Sequence, residues 1–402
     1  MPGDPGSAGG LRVALVCPYS LSRPGGVQGQ VLGLARTLTA RGNTVTVFAP
    51  VDGPVIAPEG VELVATGHST ALRANGSVAP VSVSPAAAGR ALADLRDGAP
   101  DVVHVHEPFA PGLPYALLVA RRVPPVVATF HRSGGSVLYS LLRPVTRRLA
   151  DRLAVRVAVS EAAATTARNA LGGRYEVLFN GIEIDRFTGV EPWPTTGPTV
   201  LFLGRHEGRK GLAILLDAWS RLDVGGCGSS SGSGSASAST SGSASDGRPV
   251  LWVAGDGPET AALRERHPES PTVRWLGVVD EVEKVRRLVA ADALAAPALG
   301  GESFGLVLLE GMAARAVVVA SDIDGYRDAA GGRAVLVPPG DPSALAAGLT
   351  AVLDGDLAPG DGSGDRAGWL DAGVERAQQW SMDTLAGRYE SLYRRAMVGS
   401  LP

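Results

Sequence analysis

Thr199-Val200-Leu201-Phe202-Leu203-Gly204-Arg205-His206-Glu207-Gly208-Arg209-Lys210-Gly211 decides the architecture. Five residues of strand character lead into a basic turn framed by glycines, and residues 212–222 carry the apolar spacing of a helix. The same succession stands near the beginning of the chain. There, residues 11–17 are an apolar run, Arg23-Pro24-Gly25-Gly26-Val27-Gln28 is a glycine turn, and residues 28–41 have helical periodicity. A strand–turn–helix pattern that runs on and then restarts midway through 402 residues predicts two domains of like construction.

Short Val- and Leu-rich runs at 44–49, 102–105, 126–129, 155–160 and 176–179 continue the first set, with a helix at 85–95. Runs at 250–254, 273–276, 293–296, 317–320 and 334–337 continue the second, with helices at 260–267, 281–290 and 305–315. Strands that are apolar throughout and alternate with helices imply parallel sheets covered on both faces. The expected class is therefore α/β, with two facing Rossmann-like doubly wound domains over 11–187 and 199–375. Residues 188–198, with three prolines and two glycines, read as the hinge. Segment 376–398, amphipathic around 382–397, is expected to pack back across the domains. Residues 225–247 are almost wholly Gly, Ser and Ala, too poor in apolar area to order themselves, and read as a disordered spacer.

The formal net charge of −3, with both signs interspersed, gives none of the basic footprint that nucleic acid demands. Cys17 and Cys227 lie far apart, which argues against a disulfide framework and for a reducing compartment. The first residues lack the charged and apolar regions of a signal peptide, and no run of about 18 apolar residues occurs. The expected location is cytoplasmic.

The richest chemistry lies in Gly300-Gly301-Glu302-Ser303-Phe304-Gly305, running on to Glu310. Gly305 opens an apolar helix whose free N–H groups and dipole favour phosphate, while two carboxylates can accept from sugar hydroxyls. The three cations Arg205, Arg209 and Lys210, framed by Gly204 and Gly211, suit a diphosphate whose charge must be neutralised as it leaves. Gly255-Asp256-Gly257-Pro258-Glu259 reads mainly as an architectural turn. His131 ends a strand, where ligands bind in open α/β sheets, whereas His104 and His106 read as structural. His68, His206 and His267 carry no context that sets them apart from surface residues. Neither half has Gly-x-Gly-x-x-Gly with a following acid, which argues against a dinucleotide oxidoreductase.

Together these motifs resemble glycosyltransferase family 4, a family of retaining transferases with the GT-B fold. Cys17-Pro18-Tyr19-Ser20, residues 24–28, Asn75-Gly76-Ser77-Val78-Ala79, His104-Val105-His106-Glu107-Pro108 and Gly300 to Glu310 are most similar to bacterial members acting on phosphatidylinositol. The resemblance implies transfer of mannose from GDP-mannose to the inositol of phosphatidylinositol, without a divalent metal. It places Gly26, Arg205, Lys210, Val279, Glu302, Ser303, Phe304, Gly305 and Glu310 at the donor, and Tyr19, Gln28, Asn75 and His131 at the acceptor. His131, Glu302, Arg205 and Lys210 would carry the catalysis. It further implies transient contact with anionic membrane on the inner face of the plasma membrane. Pro80 stands where such members carry an arginine, and the helix at 85–95 offers only Arg90 against Asp94. Arg121, Arg122, Arg132, Arg143, Arg147 and Arg148 are the alternative cations. A soluble acceptor such as inositol phosphate, another lipid, or a catalytically silent binding role are the competing readings.

Overall fold

The computed structural model describes residues 9–399 apart from 24, 75–76, 133–142, 223–246, 303 and 356–364. The expected spacer at 225–247 lies, but for Gly247, outside the described residues. The chain divides into two compact units, Met1–Glu183 with Trp380–Pro402, and Ile184–Gln379.

In the first unit, β1 (Arg12–Val16), β2 (Thr44–Ala49), β3 (Val61–Ala65), β6 (Val102–His106), β7 (Val126–Phe130), β8 (Val155–Ala158) and β9 (Glu176–Val177) form one sheet. Its order is β3-β2-β1-β6-β7-β8-β9, and every neighbouring pair is parallel. Helices α1 (Gly26–Ala40), α2 (Pro85–Asp97), α3 (Leu113–Val119), α4 (Arg143–Ala150) and α5 (Glu161–Leu171) connect the strands. One face buries Val16, Val103, Val105 and Phe130 under Leu95, Leu117 and Leu171; the other buries Leu15, Val47 and Val127 under Val31, Leu34 and Leu38. Each such side chain contributes about 1.5–3 kcal/mol when fully buried. The strand at β3 and the antiparallel hairpin of β4 (Thr70–Ala74) and β5 (Ser77–Val81) are additions to the expected set. Their residues mix polar and apolar types and lack the apolar runs that mark the buried strands. Ser84 starts α2, its Oγ accepting from the Ala87 N–H, with Pro85 pre-set for the first turn.

The second unit repeats the plan with β10 (Thr199–Leu203), β11 (Val250–Ala254), β12 (Val273–Gly277), β13 (Ala293–Ala296), β14 (Val317–Ser321) and β15 (Val335–Val337). The order β12-β11-β10-β13-β14-β15 is again parallel throughout. Its helices are α6 (Leu212–Trp219), α7 (Thr260–Arg266), α8 (Glu281–Ala290), α9 (Leu306–Ala313), α10 (Asp324–Ala330), α11 (Pro342–Leu353) and α12 (Arg366–Gln378). The proline-rich stretch read as a hinge belongs to this unit and is fastened to it. The Trp193 N–H donates to the Arg286 carbonyl at 3.0 Å, and the Arg287 guanidinium lies 4.2 Å from the indole centroid.

The last helix, α13 (Met382–Val398), returns to the first unit. Its amphipathic spacing puts Leu385, Ala386, Tyr389, Leu392, Tyr393 and Ala396 into the core beside α1. Glu390 accepts from Asn43 Nδ2 at 2.7 Å and from Arg41, which fixes the helix against the α1–β2 turn. In each sheet the order reverses between the first and fourth strands of the Rossmann plan, β1 and β6 in one, β10 and β13 in the other. Ligands bind at the carboxyl ends of strands at such points.

Candidate active site

In the second unit the two loops over the reversal point are locked together. The Leu299 N–H, after β13, donates to the Arg209 carbonyl, after β10, at 2.8 Å. Gly211 makes this approach possible: its φ is +71°, and a Cβ there would stand 1.9 Å from the Pro297 carbonyl oxygen. Gly255 plays the same part against the Gly204 carbonyl, also at 1.9 Å, with φ +125°. Gly211 and Gly255 thus serve backbone packing, and His206, which the sequence does not set apart from surface residues, is fully buried between their loops. Its Nδ1 lies 2.8 Å from Thr260 Oγ1.

This packing gathers the charged groups. Glu302 Oε1 accepts from Lys210 Nζ and from Arg209 Nη1, both at 2.7 Å. Glu207 holds Arg205 at 2.8 Å and Arg209 at 3.0 Å. Gly305 caps α9 with a left-handed residue and brings no side-chain acceptor to the first N–H groups of the helix. Glu310 sits in the second turn of that helix, and its Oε1 accepts from Lys284 Nζ at 2.9 Å. Burial alone would lower the Lys284 ammonium; Glu310 and Glu281 outweigh it and hold the group above its ordinary value. Val279 is half-buried in the turn before α8, beside the exposed Val278. Phe304 is buried under the loop, leaving only its backbone to a ligand, and Ser303 lies outside the described residues.

In the first unit, Gly26 opens α1, and a Cβ on it would meet nothing within 4 Å. Its missing side chain therefore leaves room on the outside of the turn, not within the fold. Gln28 is buried, and its Nε2 donates to the Ser20 and Arg23 carbonyls, bracing the loop after β1. The Ser20 N–H in turn donates to the Pro80 carbonyl at 2.9 Å, joining that loop to the hairpin. Tyr19 bridges to Val81, and burial with Glu107 nearby raises its phenol well above the ordinary range. Asn75 lies outside the described residues.

At the carboxyl ends of β6 and β7 stands a histidine cluster. His131 Nε2 lies 2.8 Å from His106 Nδ1, with the rings stacked at 5.1 Å. His106 stacks in turn on His104 at 4.4 Å. His104 is satisfied at both nitrogens, by Tyr393 and by Thr129, each at 2.7 Å, and Thr129 meets Tyr389 at 2.9 Å. Burial lowers all three imidazoles, His131 to about 4 and His104 to about 3. The buried Glu107 carboxylate accepts from the His131 N–H at 2.6 Å and fixes the strand end. Sequence reasoning missed Lys284, Tyr389 and Tyr393; the i,i+4 spacing of the two tyrosines on α13 is the signal that marks that pair.

Residues 24–186 match the family model for Glycosyltransferase Family 4, and residues 197–355 that for Glycosyl transferases group 1. A phosphatidyl-myo-inositol mannosyltransferase of Mycobacterium leprae is 37% identical over 391 residues, covering 95% of this chain and 96% of its own. The chain belongs to glycosyltransferase family 4. The Mycolicibacterium smegmatis protein of the same name is 35% identical over 95% of this chain and 93% of its own. Among solved structures, a glycosyltransferase from Rickettsia africae superposes with a TM-score of 0.70 at 16% identity, over 96% of this chain and 99% of that one. Anabaena HepE in complex with UDP and glucose superposes with a TM-score of 0.65 at 17% identity, over 95% and 98%. The fold is accordingly the GT-B class of two Rossmann-like units with a returning C-terminal helix, and the chain is a glycosyltransferase. None of its described helices is long and apolar enough to cross a membrane.

Proposed function

We propose that this family 4 enzyme transfers mannose, with retention, from GDP-mannose to the inositol of phosphatidylinositol. The observation that carries the reading is the Lys210–Glu302 pair at 2.7 Å, beside the uncapped start of α9 and over the reversal point of the second sheet. A nucleoside diphosphate placed there meets Arg205, Arg209 and Lys210 together with free helix N–H groups, which stabilises charge as the sugar departs. Glu302 and Glu310 are acceptors for hydroxyls, Glu302 on the sugar and Glu310 on the ribose. Gly26 keeps the first loop open to the donor or acceptor, and Tyr19 and Gln28 shape the acceptor side. With no carboxylate assigned as nucleophile, the leaving phosphate takes the acceptor proton on the same face.

Phosphatidylinositol is favoured because the relatives named for it cover almost the whole chain. The first unit supplies a matching surface. No Asp or Glu occurs between Glu107 and Asp151, while that stretch contains six arginines. Arg121, Arg122, Arg147 and Arg148 are exposed, as are Tyr115, Val119 and Val145 on α3 and α4. Such a face suits transient contact with anionic lipid on the cytoplasmic leaflet. A second reading, transfer to soluble inositol phosphate, is favoured by Pro80 in the hairpin, where an arginine for the lipid headgroup was expected.

The test pairs GDP-mannose or UDP-glucose with phosphatidylinositol vesicles or soluble inositol phosphate. Mannose incorporation into vesicles alone supports the lipid reading. Incorporation into the soluble acceptor moves the enzyme to the second reading, and glucose incorporation replaces the donor.

A further inference from the structure

We infer that His106 holds the neutral His131 ring with its proton on Nδ1, so that His131 offers a bound substrate an N–H donor and no base. The inference rests on the proposed transfer for its substrate, though not for its geometry. His131 Nε2 and His106 Nδ1 are 2.8 Å apart, and one proton is shared between them. Two arrangements satisfy that contact, and the other nitrogen of His106 separates them.

His106 Nε2 is buried and has no partner. Were His131 the donor, the neutral His106 would have to carry its proton on Nε2, leaving a buried N–H unpaired. An orphaned N–H is the rarer and costlier defect; an underused acceptor is tolerated more often. The favoured arrangement therefore puts the His106 proton on Nδ1, donating to the bare His131 Nε2. The single proton of His131 then sits on Nδ1, which has no partner among the described residues. Protonating His131 at Nε2 would force His106 back to the tautomer with the orphaned N–H, so the pair resists the imidazolium as well.

Glu107 and the ring stack complete the mounting. The Glu107 carboxylate takes the His131 backbone N–H at 2.6 Å, and His104, fixed through Tyr393 and Thr129, stacks behind His106. His106 is thus a positioning residue acting through His131. An N–H at Nδ1 can donate to a hydroxyl oxygen of a bound substrate. It cannot accept the proton of the attacking hydroxyl, which leaves that role to the phosphate.

The native enzyme, labelled with 15N-histidine, decides the tautomer by long-range 1H–15N correlation, the His131 signals being identified by their loss in His131→Asn. Protonated Nδ1 and bare Nε2 on His131 are expected; a proton on Nε2 overturns the inference whether or not any sugar is transferred. Turnover tests the positioning. His106→Asn keeps a donor near the place of Nδ1 and should retain kcat. His106→Leu should lower kcat about 10- to 100-fold through loss of orientation, with KM nearly unchanged. Equal turnover in the Leu and Asn variants overturns the positioning role. Absence of mannose transfer in the native enzyme refutes the proposed reaction, and the spectrum still reads the tautomer.

Discussion

Lys210 Nζ and Glu302 Oε1 stand 2.7 Å apart, each borne on a loop that leaves the sheet at its reversal point. Without a donor the two charges answer one another; a diphosphate arriving beside Lys210 frees the carboxylate for a sugar hydroxyl. Lys210→Ala and Glu302→Ala should each lower mannose transfer by about 10²-fold or more, as the loss of a charged transition-state contact does. Thermal stability should change little, since Arg209 still answers Glu302 when Lys210 is removed and is still held by Glu207 when Glu302 is removed. Radiolabelled transfer and a melting curve check both halves of the statement, and near-normal rates in both variants would remove them from the donor site.

The histidine cluster makes the first unit sensitive to acid. Burial places His131 at about 4 and His104 at about 3, with His106 well below its ordinary value. In the unfolded chain all three titrate near 6.5. Between those values the unfolded state binds more protons, so stability is fully present above about pH 6.5 and falls as the pH drops below it. Glu107, raised by burial, acts in the opposite sense above its ordinary 4.5 and blunts part of the loss. Tm measured from pH 7.5 to pH 5 should decline, and His104→Gln should flatten the slope. A Tm independent of pH over that range would contradict the neutral cluster.

Tyr393 links the last helix to the sheet beneath the cluster, its hydroxyl 2.7 Å from His104 Nδ1. Tyr393→Phe keeps the ring and leaves a buried nitrogen without its partner. The expected cost is about 1–3 kcal/mol in urea unfolding of the first unit. Tyr115→Phe, which alters an exposed ring on α3, serves as the control and should cost almost nothing.

Arg147 and Arg148 lie on the exposed side of α4, within the stretch that contains no carboxylate. Replacing both with Glu should weaken cosedimentation with phosphatidylinositol vesicles, each basic residue near an anionic surface being worth about 1 kcal/mol. Hydrolysis of the donor without vesicles should be unaffected. Unchanged cosedimentation would relocate the membrane contact.

Much of this was legible in the residues. The two successions of apolar strand, glycine turn and helix are visible in 11–28 and 199–211 because parallel strands buried on both faces must be apolar throughout. The β4–β5 hairpin was not, since its short strands mix polar and apolar residues without a sustained period. The glycines framing residues 204–211 suit a diphosphate on sequence grounds, yet Gly211 yields to neighbouring backbone, as Gly255 does in a turn whose architectural reading its backbone contact supports. A close approach within the fold and a close approach to a ligand leave the same residue in a sequence. The pairings of Glu310 with Lys284 and of His104 with Tyr393 join residues far apart along the chain, and nothing local in a sequence records them.

The return of α13 to the first unit also orders events at the ribosome. The nascent first unit emerges without the helix that carries Tyr389, Tyr393 and Glu390. All of Ile184–Gln379 must be synthesised before that helix follows. At ordinary elongation rates the delay is roughly 10–40 s. During it the flank of α1 and the parts of β6 and β7 that α13 meets lack that helix, while the second unit, continuous in the chain, can complete itself. A message cut short near its 3′ end therefore does more than trim a tail: it yields a finished second unit joined to a first that cannot close.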